Sequence, residues 1–244
     1  MRRIIIKLHV AAKGIILLLR PHVLFGWLRH PLRFASNTLS LSRWIAAQRK
    51  DPEMLNDFYT FTRDHKRRED LHAHVIERLG LADVPLDYVE FGVFDGRSFR
   101  WWMAHARHTD SRFHGFDTFE GLPEAWGGYA QGEMSSPAPK LDDARGQLYK
   151  GLFQDTLPPF LAQKPFRDRT RKVIHLDADL YSSTLMALTS LAPHLRTGDV
   201  LLFDEFNVPD HEFRAFTDFQ EAYRVRTELL GAVNNYYQVA LKII

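Results

Sequence analysis

The sequence predicts an α/β protein with a doubly wound, mostly parallel sheet. Three observations support this prediction. Short apolar segments typical of buried strands alternate with helical segments, several of these strands end in an acidic residue, and the first is followed by a glycine-containing turn. A chain of 244 residues, 45% of them hydrophobic, can form one sizeable core.

The individual elements follow in order along the chain. A helix is expected within residues 51–80, where polar residues precede it and Gly80 ends it. Five segments have the apolar character of buried strands: residues 86–91, 112–117, 148–153, 172–177 and 199–206. Residues 97–107 predict a helix, and helices also follow the last two strands. The closing segment, 234–244, is rich in β-forming residues and has no helix after it, so it is expected to pair antiparallel at or near a sheet edge.

Residues 119–147 do not fit this alternation. They lie between the second and third strands and are rich in Gly, Pro and Ser. A loop of this length in a compact domain is usually a lid or a binding loop, and the alternative is a surface excursion without a function.

The first 50 residues differ in charge from the rest of the chain. They hold ten Lys and Arg and no Asp or Glu, whereas residues 51–244 hold the other 22 basic and all 30 acidic side chains. We therefore expect two parts, a helical, basic, amphipathic arm at 1–50 and a mildly acidic domain at 51–244. The chain has no cysteine, which excludes a disulfide scaffold, a thiolate zinc site and a cysteine nucleophile.

The arm has two expected roles. Its longest uninterrupted apolar run, residues 14–19, is too short for a bilayer, which needs about 20 residues. Peripheral membrane contact through residues 1–35 fits the mixture of cationic, aliphatic and aromatic residues. The alternative is packing against the domain or a second subunit of a homo-oligomer. A nucleic acid partner is not expected because no DNA-reading motif is present. The expected location is cytoplasmic, or peripheral at the cytoplasmic face of the membrane.

Acidic residues recur where the predicted strands end. They are Glu90, Asp117, Asp155, Asp177, Asp204 and Glu205. Because the carboxyl ends of parallel strands share one edge, where ligands bind, these acids predict a cofactor or metal site at that edge.

The turn "EFGVFDGRS" indicates which cofactor the site takes. Gly92 and Gly96 do not have the three-glycine spacing of a nicotinamide-binding turn. A carboxylate at Glu90 suits a cofactor that carries a cation, as S-adenosylmethionine does, and disfavours a pyrophosphate. Asp117, 27 residues further on, is placed to accept hydrogen bonds from ribose hydroxyls, a role that many nucleotide cofactors share.

Five segments together resemble the macrocin O-methyltransferase family. They are "EFGVFDGRS", "FHGFDTFEGLPE", "YKGLFQDTLP", "HLDADLYSST" and "GDVLLFDEF", and the resemblance covers about residues 60–244. The family consists of class I, S-adenosylmethionine-dependent, metal-assisted enzymes that methylate sugar hydroxyls of natural products. The resemblance therefore assigns S-adenosylmethionine-dependent methyl transfer to the domain at 51–244, and it implies the fold, the cofactor and a divalent cation, Mg²⁺ or another.

The resemblance also implies roles for single residues. The amino-acid end of the cofactor is assigned to Glu90, Gly92 and Ser98, with Asp95 and Gly96 in the same turn. Asp117 is assigned to the ribose, and Gln154 and Asp155 to the adenine. The metal ligands are expected to be Asp177, Asp204 and Glu205. The family usually has Asp-Asp-Tyr where this chain has "DEF", and Gly is frequent at the middle residue of "DAD".

Methyl transfer to a hydroxyl also requires a base. A hydroxyl bound to Mg²⁺ becomes more acidic, and a nearby group must then take its proton. Asp177 and His211 are the two candidates, although His211 also fits an exposed residue at a helix start. His175, within the strand, is expected to be packed. Asp179 is expected to cap or orient the following helix, with substrate contact as the alternative.

The expected function is therefore S-adenosylmethionine-dependent, Mg²⁺-assisted O-methylation of a sugar or glycosylated acceptor. Trp126 and Tyr129 in the long loop could cover a sugar by stacking, and residues 207–214 could join the same pocket. A second hypothesis is a catalytically silent cofactor-binding module recruited to a membrane-associated glycan-assembly complex. The intact acids Asp177, Asp204 and Glu205 argue against silence.

Overall fold

The computed structural model of the chain describes residues 2–48, 51–168 and 170–244. It divides into two compact units, Met1–Ile45 and Ala46–Ile244. The sequence placed the boundary after residue 50, and that division stays a prediction. Residues 1, 49 and 50 of the predicted arm lie outside the described residues.

The N-terminal segment is helical, as predicted. It consists of α1 (Arg2–Leu18), α2 (His22–Phe25), a short 3₁₀ turn (Gly26–Leu28) and α3 (Arg29–Ala47). No residue of α1 is buried, whereas α3 buries Leu41. Within the ranges given above, no helix combines the length and the apolarity needed to cross a membrane.

The second unit alternates strands and helices. The strands are β1 (Leu55–Asn56), β2 (Leu86–Phe91), β3 (Arg112–Asp117), β4 (Gly146–Lys150), β5 (Arg171–Leu176), β6 (Val200–Phe203), β7 (Thr227–Val233) and β8 (Gln238–Ile243). The helices are α4 (Arg67–Leu79), α5 (Arg97–His105), α6 (Phe153–Ala162), α7 (Tyr181–Leu191) and α8 (Glu212–Tyr223).

The strands form one sheet in the order β1-β7-β8-β6-β5-β2-β3-β4. β8 pairs antiparallel with β6 and β7, and the other neighbours are parallel. This is the doubly wound, mostly parallel sheet of the class I methyltransferase fold that the sequence predicts. The strand order reverses between β2 and β5, and ligands of such sheets bind at that point.

The central strand β2 is buried along its whole length. A parallel strand in the middle of such a sheet is covered on both faces, so "LDYVEF" shows no simple alternation of apolar and polar residues. Tyr88 stacks on Trp102 of α5, with ring centroids 5.1 Å apart, inside the main core cluster. The same strand carries a fully buried carboxylate, Glu90, towards the edge where ligands bind.

The C-terminal strand pairs antiparallel, as predicted, but differs from the prediction in where it begins and in its place in the sheet. It begins at Gln238 rather than 234, and β7, which the sequence reading missed, lies outside it, so β8 is not an edge strand. Asn234, Asn235 and Tyr236 all have positive φ and form the turn between β7 and β8. Asparagine tolerates this conformation, and the "NN" pair was the signal of a hairpin.

The helix expected within 51–80 begins only at Arg67. Asn235 explains the difference, since its side chain accepts from the amide of Thr60 and donates to the carbonyl of the same residue. Asn234 likewise binds the amide and carbonyl of Asp64. These hydrogen bonds, 170 or more residues apart in sequence, hold the segment in an irregular conformation against its helical propensity.

The buried histidine of β3 makes stability depend on pH. The ring of His114 packs 4.8 Å from that of Phe160, and its Nδ1 lies 3.2 Å from the hydroxyl of Tyr149. Burial, and secondarily Arg112, lowers the pKa of His114 to about 4. The unfolded chain, with an ordinary histidine pKa near 6.5, therefore takes up this proton first as the pH falls.

We predict that His114→Phe makes stability less sensitive to acid. His114 should lower the free energy of unfolding of the wild type by on the order of 3 kcal/mol as the pH falls from about 6.5 to 4. Above about pH 6.5 it should have no such effect. Urea unfolding of both proteins at pH 7.5 and pH 4.5 measures the difference. An equal loss of stability in both proteins would contradict the assignment.

Candidate active site

The residue directly after each of β2, β5 and β6 is still hydrogen-bonded to the neighbouring strand of the sheet. The amides of Gly92, Asp177 and Asp204 donate to carbonyls of the neighbouring strands at 2.9, 2.9 and 3.0 Å. Each of these residues is therefore fixed by the sheet, although it lies just outside a strand. The turn after β2 and the acids after β5 and β6 are brought together by backbone hydrogen bonds.

Gly92 allows the turn after β2 to pass against the end of β5. Its φ is +89°, a conformation that favours glycine. A Cβ at this position would lie 1.7 Å from the carbonyl oxygen of Asp177. The two backbones therefore approach so closely that only glycine fits.

The carboxylate of Asp117 at the end of β3 organises the same turn. Its Oδ2 accepts hydrogen bonds from the amides of Val93 and Phe94, each at 2.8 Å. Its Oδ1 accepts from the amide of Phe119 at 2.7 Å. A carboxylate offers about four acceptor positions, so Asp117 can hold the turn and still accept from a ligand hydroxyl.

Glu90 lies beneath the turn and is fully buried. One oxygen accepts from the hydroxyl of Tyr88 at 2.6 Å, and the other accepts from the hydroxyl of Ser98 at 2.5 Å. His175, packed as expected, has its Nδ1 2.9 Å from the Tyr88 hydroxyl. Ser98 lines the cavity and Glu90 does not, so Glu90 lies behind Ser98.

Four acids gather after β5 and β6. Oxygens of Asp177, Asp179 and Glu205 lie within 4.8 Å of one another, and so do an oxygen of Asp177, one of Asp204 and a ring nitrogen of His175. The two groups share Asp177. The three predicted metal ligands are thus gathered around Asp177, and Asp179 joins them.

Burial and repulsion from neighbouring carboxylates raise the pKa values of Asp177, Asp179 and Glu205. Burial is the larger cause for Asp177 and Glu205, Asp204 is the next, and both pKa values lie well above the ordinary range. Burial and then Asp204 raise the pKa of Asp179 to about 7. Burial also raises the pKa of Glu212, whose Oε2 accepts from the amide of Glu205 at 2.9 Å. A cation would relieve this crowding of carboxyl groups.

Arg68 of α4 supplies a cation to the cluster. Its Nη1 donates to Oδ2 of Asp177 at 3.2 Å and to Oδ2 of Asp204 at 2.9 Å. Burial opposes its charge, but Asp204 and Asp177 outweigh burial and raise the pKa of Arg68 above its usual value. The guanidinium thus neutralises part of the negative charge of the cluster.

Sequence reasoning missed Arg68 and did not place Asp179 among the metal-ligating acids. Asp179 was expected to cap or orient α7, with substrate contact as the alternative; the residue at the N-cap is Leu180, and no side chain caps the helix. Asp179 has a φ of +56°, a rare conformation for an aspartate, which turns the chain immediately before α7. Arg68 lies 109 residues before Asp177, so no local pattern relates the two.

One cavity of about 540 Å³ connects the glycine turn with the acids. It is lined by Arg68 and by three acids of the cluster, Asp177, Asp179 and Glu205. Five of the eight residues assigned to the cofactor also line it, namely Gly92, Asp95, Ser98, Asp117 and Gln154. This volume falls within the roughly 300–1,000 Å³ typical of small-molecule sites.

The remaining assigned residues lie outside this lining. Glu90 is buried, Gly96 is the N-cap of α5, and Asp155 is exposed in the first turn of α6. His211 is the N-cap of α8, and its Nδ1 accepts from the amide of Tyr181 at 3.3 Å. His211 therefore lies outside the cavity lining.

The long loop forms part of the cavity wall. It contributes Gly121, Leu122, Pro123, Glu124 and Met134. The hydroxyl of Ser182 in α7 donates to Glu124 at 2.9 Å, which ties the loop to the element after the acids. Trp126 and Tyr129 stack on each other with centroids 5.8 Å apart, and Trp126 meets the ring of His211 edge-on. The long loop therefore lies beside the cavity, as a binding loop would.

The acid cluster fits a divalent cation. Oδ1 of Asp204 and Oε2 of Glu205 are buried and have no hydrogen-bond partner among the described residues. Ionised carboxylate oxygens of this kind are the ligands that Mg²⁺ prefers. The donors available are Asp177, Asp204 and Glu205, as the sequence predicts, together with Asp179.

Comparisons with known proteins show which proteins the chain resembles. Residues 89–206 match the family model described as a methyltransferase domain. A calicheamicin methyltransferase of known structure superposes with a TM-score of 0.59 at 23% identity, covering 85% of this chain and 91% of that chain. The O-methyltransferase NovP superposes with a TM-score of 0.56 at 23% identity, covering 72% and 79%. These superpositions show a shared fold.

Two curated proteins are similar in sequence. The chain is 31% identical over 165 residues to 8-demethyl-8-(2,3-dimethoxy-alpha-L-rhamnosyl)-tetracenomycin-C 4'-O-methyltransferase of Streptomyces olivaceus, across 58% of this chain and 61% of that protein. It is 26% identical over 188 residues to demethyldecarbamoylnovobiocin O-methyltransferase of Streptomyces niveus, across 68% and 69%. Residues 89–206 are therefore similar to a methyltransferase domain, and the chain spans 61% of the length of the first of these relatives.

We predict that Gly92→Ala destabilises the protein by more than about 2 kcal/mol, because the new Cβ would overlap the carbonyl of Asp177. Gly127→Ala is the matched control, since Gly127 also has a positive φ but a Cβ there meets nothing within 4 Å. Urea unfolding compares the two variants. Equal losses of stability would show that the close approach of the two backbones is not required.

We also predict that Arg68→Met raises the affinity of the cluster for a divalent cation by about tenfold, because the cation no longer has to displace or repel a guanidinium. Mn²⁺ binding followed by electron paramagnetic resonance measures the affinity without turnover. Arg97→Met is the control, since Arg97 lines the same cavity but pairs with Glu69. Equal affinities in the wild type and Arg68→Met would show that Arg68 does not oppose the cation.

Proposed function

We propose that the protein is an S-adenosylmethionine-dependent O-methyltransferase of the macrocin type, which uses a divalent cation to methylate a hydroxyl of a sugar or glycosylated acceptor. The observation that carries this proposal is the single cavity that both the glycine turn after β2 and the acid cluster line. A methyl transfer needs the donor and the acceptor in line, and one shared cavity allows this.

The turn after β2 is proposed to hold the cofactor. Gly92 lets the backbone of the turn pass close to the carbonyl of Asp177 beside the cavity. The hydroxyl of Ser98, at the cavity wall, donates to the buried Glu90. Asp117 is proposed to accept from the ribose hydroxyls, and Gln154 to lie beside the adenine. These assignments are supported by the presence of Gly92, Ser98, Asp117 and Gln154 in the lining.

The acid cluster is proposed to hold the cation. Asp177, Asp204 and Glu205 would bind it, and Mg²⁺ suits their oxygen ligands. When bound, such an ion lowers the pKa of a hydroxyl that it coordinates and stabilises the alkoxide. The two buried carboxylate oxygens without hydrogen-bond partners in the described parts of the chain support this role.

Asp179 is proposed as the group that takes the proton of the acceptor. It lines the cavity, and one of its oxygens lies within 4.8 Å of oxygens of Asp177 and Glu205. A base must lie within reach of the proton that it takes, and a place beside the cation allows this. Asp177, one of the two bases named from the sequence, is assigned to the cation instead, since it belongs to both groups of metal-ligating atoms.

The acceptor is proposed to be a sugar hydroxyl. The curated relatives are named for a rhamnosyl-tetracenomycin and a novobiocin precursor, which supports a glycosylated small molecule or glycan as the acceptor class. The stacked pair of Trp126 and Tyr129 beside His211 offers aromatic surface of the kind that sugars contact.

We predict that Asp177→Asn abolishes methyl transfer, lowering turnover by at least about a hundredfold, and weakens Mn²⁺ binding, while S-adenosylmethionine binding is kept. Turnover is measured with labelled cofactor against extracted glycans and glycosylated small molecules, and binding by calorimetry. Asp168→Asn is the control, because Asp168 is 92% exposed in its side chain and pairs only at the surface with Arg196. Full activity of Asp177→Asn would contradict the metal assignment.

The same calorimetry separates the alternative functions. Failure of the wild-type protein to bind S-adenosylmethionine, with or without Mg²⁺, would reject the proposed function. Binding of NAD instead would favour an oxidoreductase. Cofactor binding without turnover on any hydroxylated acceptor would favour the silent module.

A further inference from the structure

The N-terminal segment presents apolar side chains that the methyltransferase function does not use. Every described residue from 2 to 27 is exposed. Leu8 is 64% exposed, Leu18 80% and Trp27 72%. A contiguous apolar surface of this kind marks an interaction site in a folded protein.

The apolar residues of α1 are not scattered around the helix. At 100° per residue, eight of them share one continuous arc of about 160° that contains no charged residue. They are Ile4, Ile5, Leu8, Ala11, Ala12, Ile15, Ile16 and Leu18. The helix is about 25 Å long, so this face is a strip of that length.

All the polar side chains of α1 lie in the remaining arc. They are Arg2, Arg3, Lys7, His9 and Lys13, and they share it with Ile6, Val10 and Leu17. The cations recur from the first turn of the helix to Lys13, and residues 14–18 carry none. A helix with this distribution can lie in the plane of an interface, with long cationic side chains reaching the polar side.

The segment after α1 has the same combination of exposed apolar and basic side chains. Phe25 and Trp27 are exposed, and Arg20 and Arg29 flank them. Tryptophan and arginine are typical of the headgroup level of a bilayer. Residues 1–50 contain no acid, so the arm has no carboxylate that a phosphate would repel.

We propose that residues 2–28 bind the surface of an anionic phospholipid bilayer, with the apolar arc of α1 towards the acyl chains and its cations among the phosphates. Charge favours lipid over a second copy of the arm, because two arms would bring like charges together, whereas an anionic surface attracts every basic residue. The proposal concerns a binding surface and is independent of the methyltransferase activity.

The test is flotation of the full-length protein with vesicles of phosphatidylcholine alone or with 30% phosphatidylglycerol. We expect binding to the anionic vesicles that weakens at high salt. Leu8→Glu should lower the partition coefficient at least about tenfold, because it places a charge in the apolar arc. Lys7→Gln and Lys13→Gln should each lower it about fivefold. Val84→Glu is the matched control, an exposed apolar residue outside the arm that should bind as the wild type does.

Each other outcome overturns the proposal. Absence of binding to both kinds of vesicle rejects it, and equal binding of Leu8→Glu and the wild type rejects the role of α1. A dimer in analytical ultracentrifugation that Leu8→Glu dissociates, without vesicle binding, assigns the face to a second copy instead. Thermal unfolding and S-adenosylmethionine binding of each variant confirm that a lost interaction is not a lost fold.

Discussion

The site depends on the close approach of two backbones at the point where the strand order reverses. The turn after β2 passes the end of β5 so closely that a Cβ at Gly92 would lie 1.7 Å from the carbonyl of Asp177. A hydrogen bond from Asp177 to Phe91 holds the two ends together. Because of this approach, the turn proposed for the cofactor and the acids proposed for the cation share one cavity, and methyl donor and acceptor can meet there.

The ends of β5 and β6 also bring several carboxyl groups close together, and Arg68 neutralises part of their charge. Four carboxyl groups after β5 and β6, with Glu212 below them, are crowded and largely buried, so the pKa values of Asp177, Glu205 and Glu212 lie well above normal. Arg68 offsets part of this cost by pairing with Asp177 and Asp204. The arrangement is one that a divalent cation would stabilise, and this need is the physical basis of the proposed metal-assisted chemistry.

Much of the fold could be predicted because its signals are local. Buried strands such as 86–91 are short apolar runs, and the acids at their ends are adjacent in sequence to the strands that position them. The β7 strand and the irregular segment before α4 could not be predicted in the same way. Asn234 and Asn235 bind Thr60 and Asp64 across 170 residues or more, and these contacts override the helical propensity of that segment.

The sequence by itself determined the fold class, the edge of the sheet where the acids gather, and several of the residues that line the cavity. Only the tertiary structure decided how those residues divide their roles. It buried Glu90 behind Ser98, turned Asp179 into the acid cluster through a positive φ, and brought Arg68 from α4 onto Asp177. The physical reason is that side-chain contacts across many residues depend on how helices pack on the sheet, whereas strand patterns and the shared edge of parallel strands are properties of short segments.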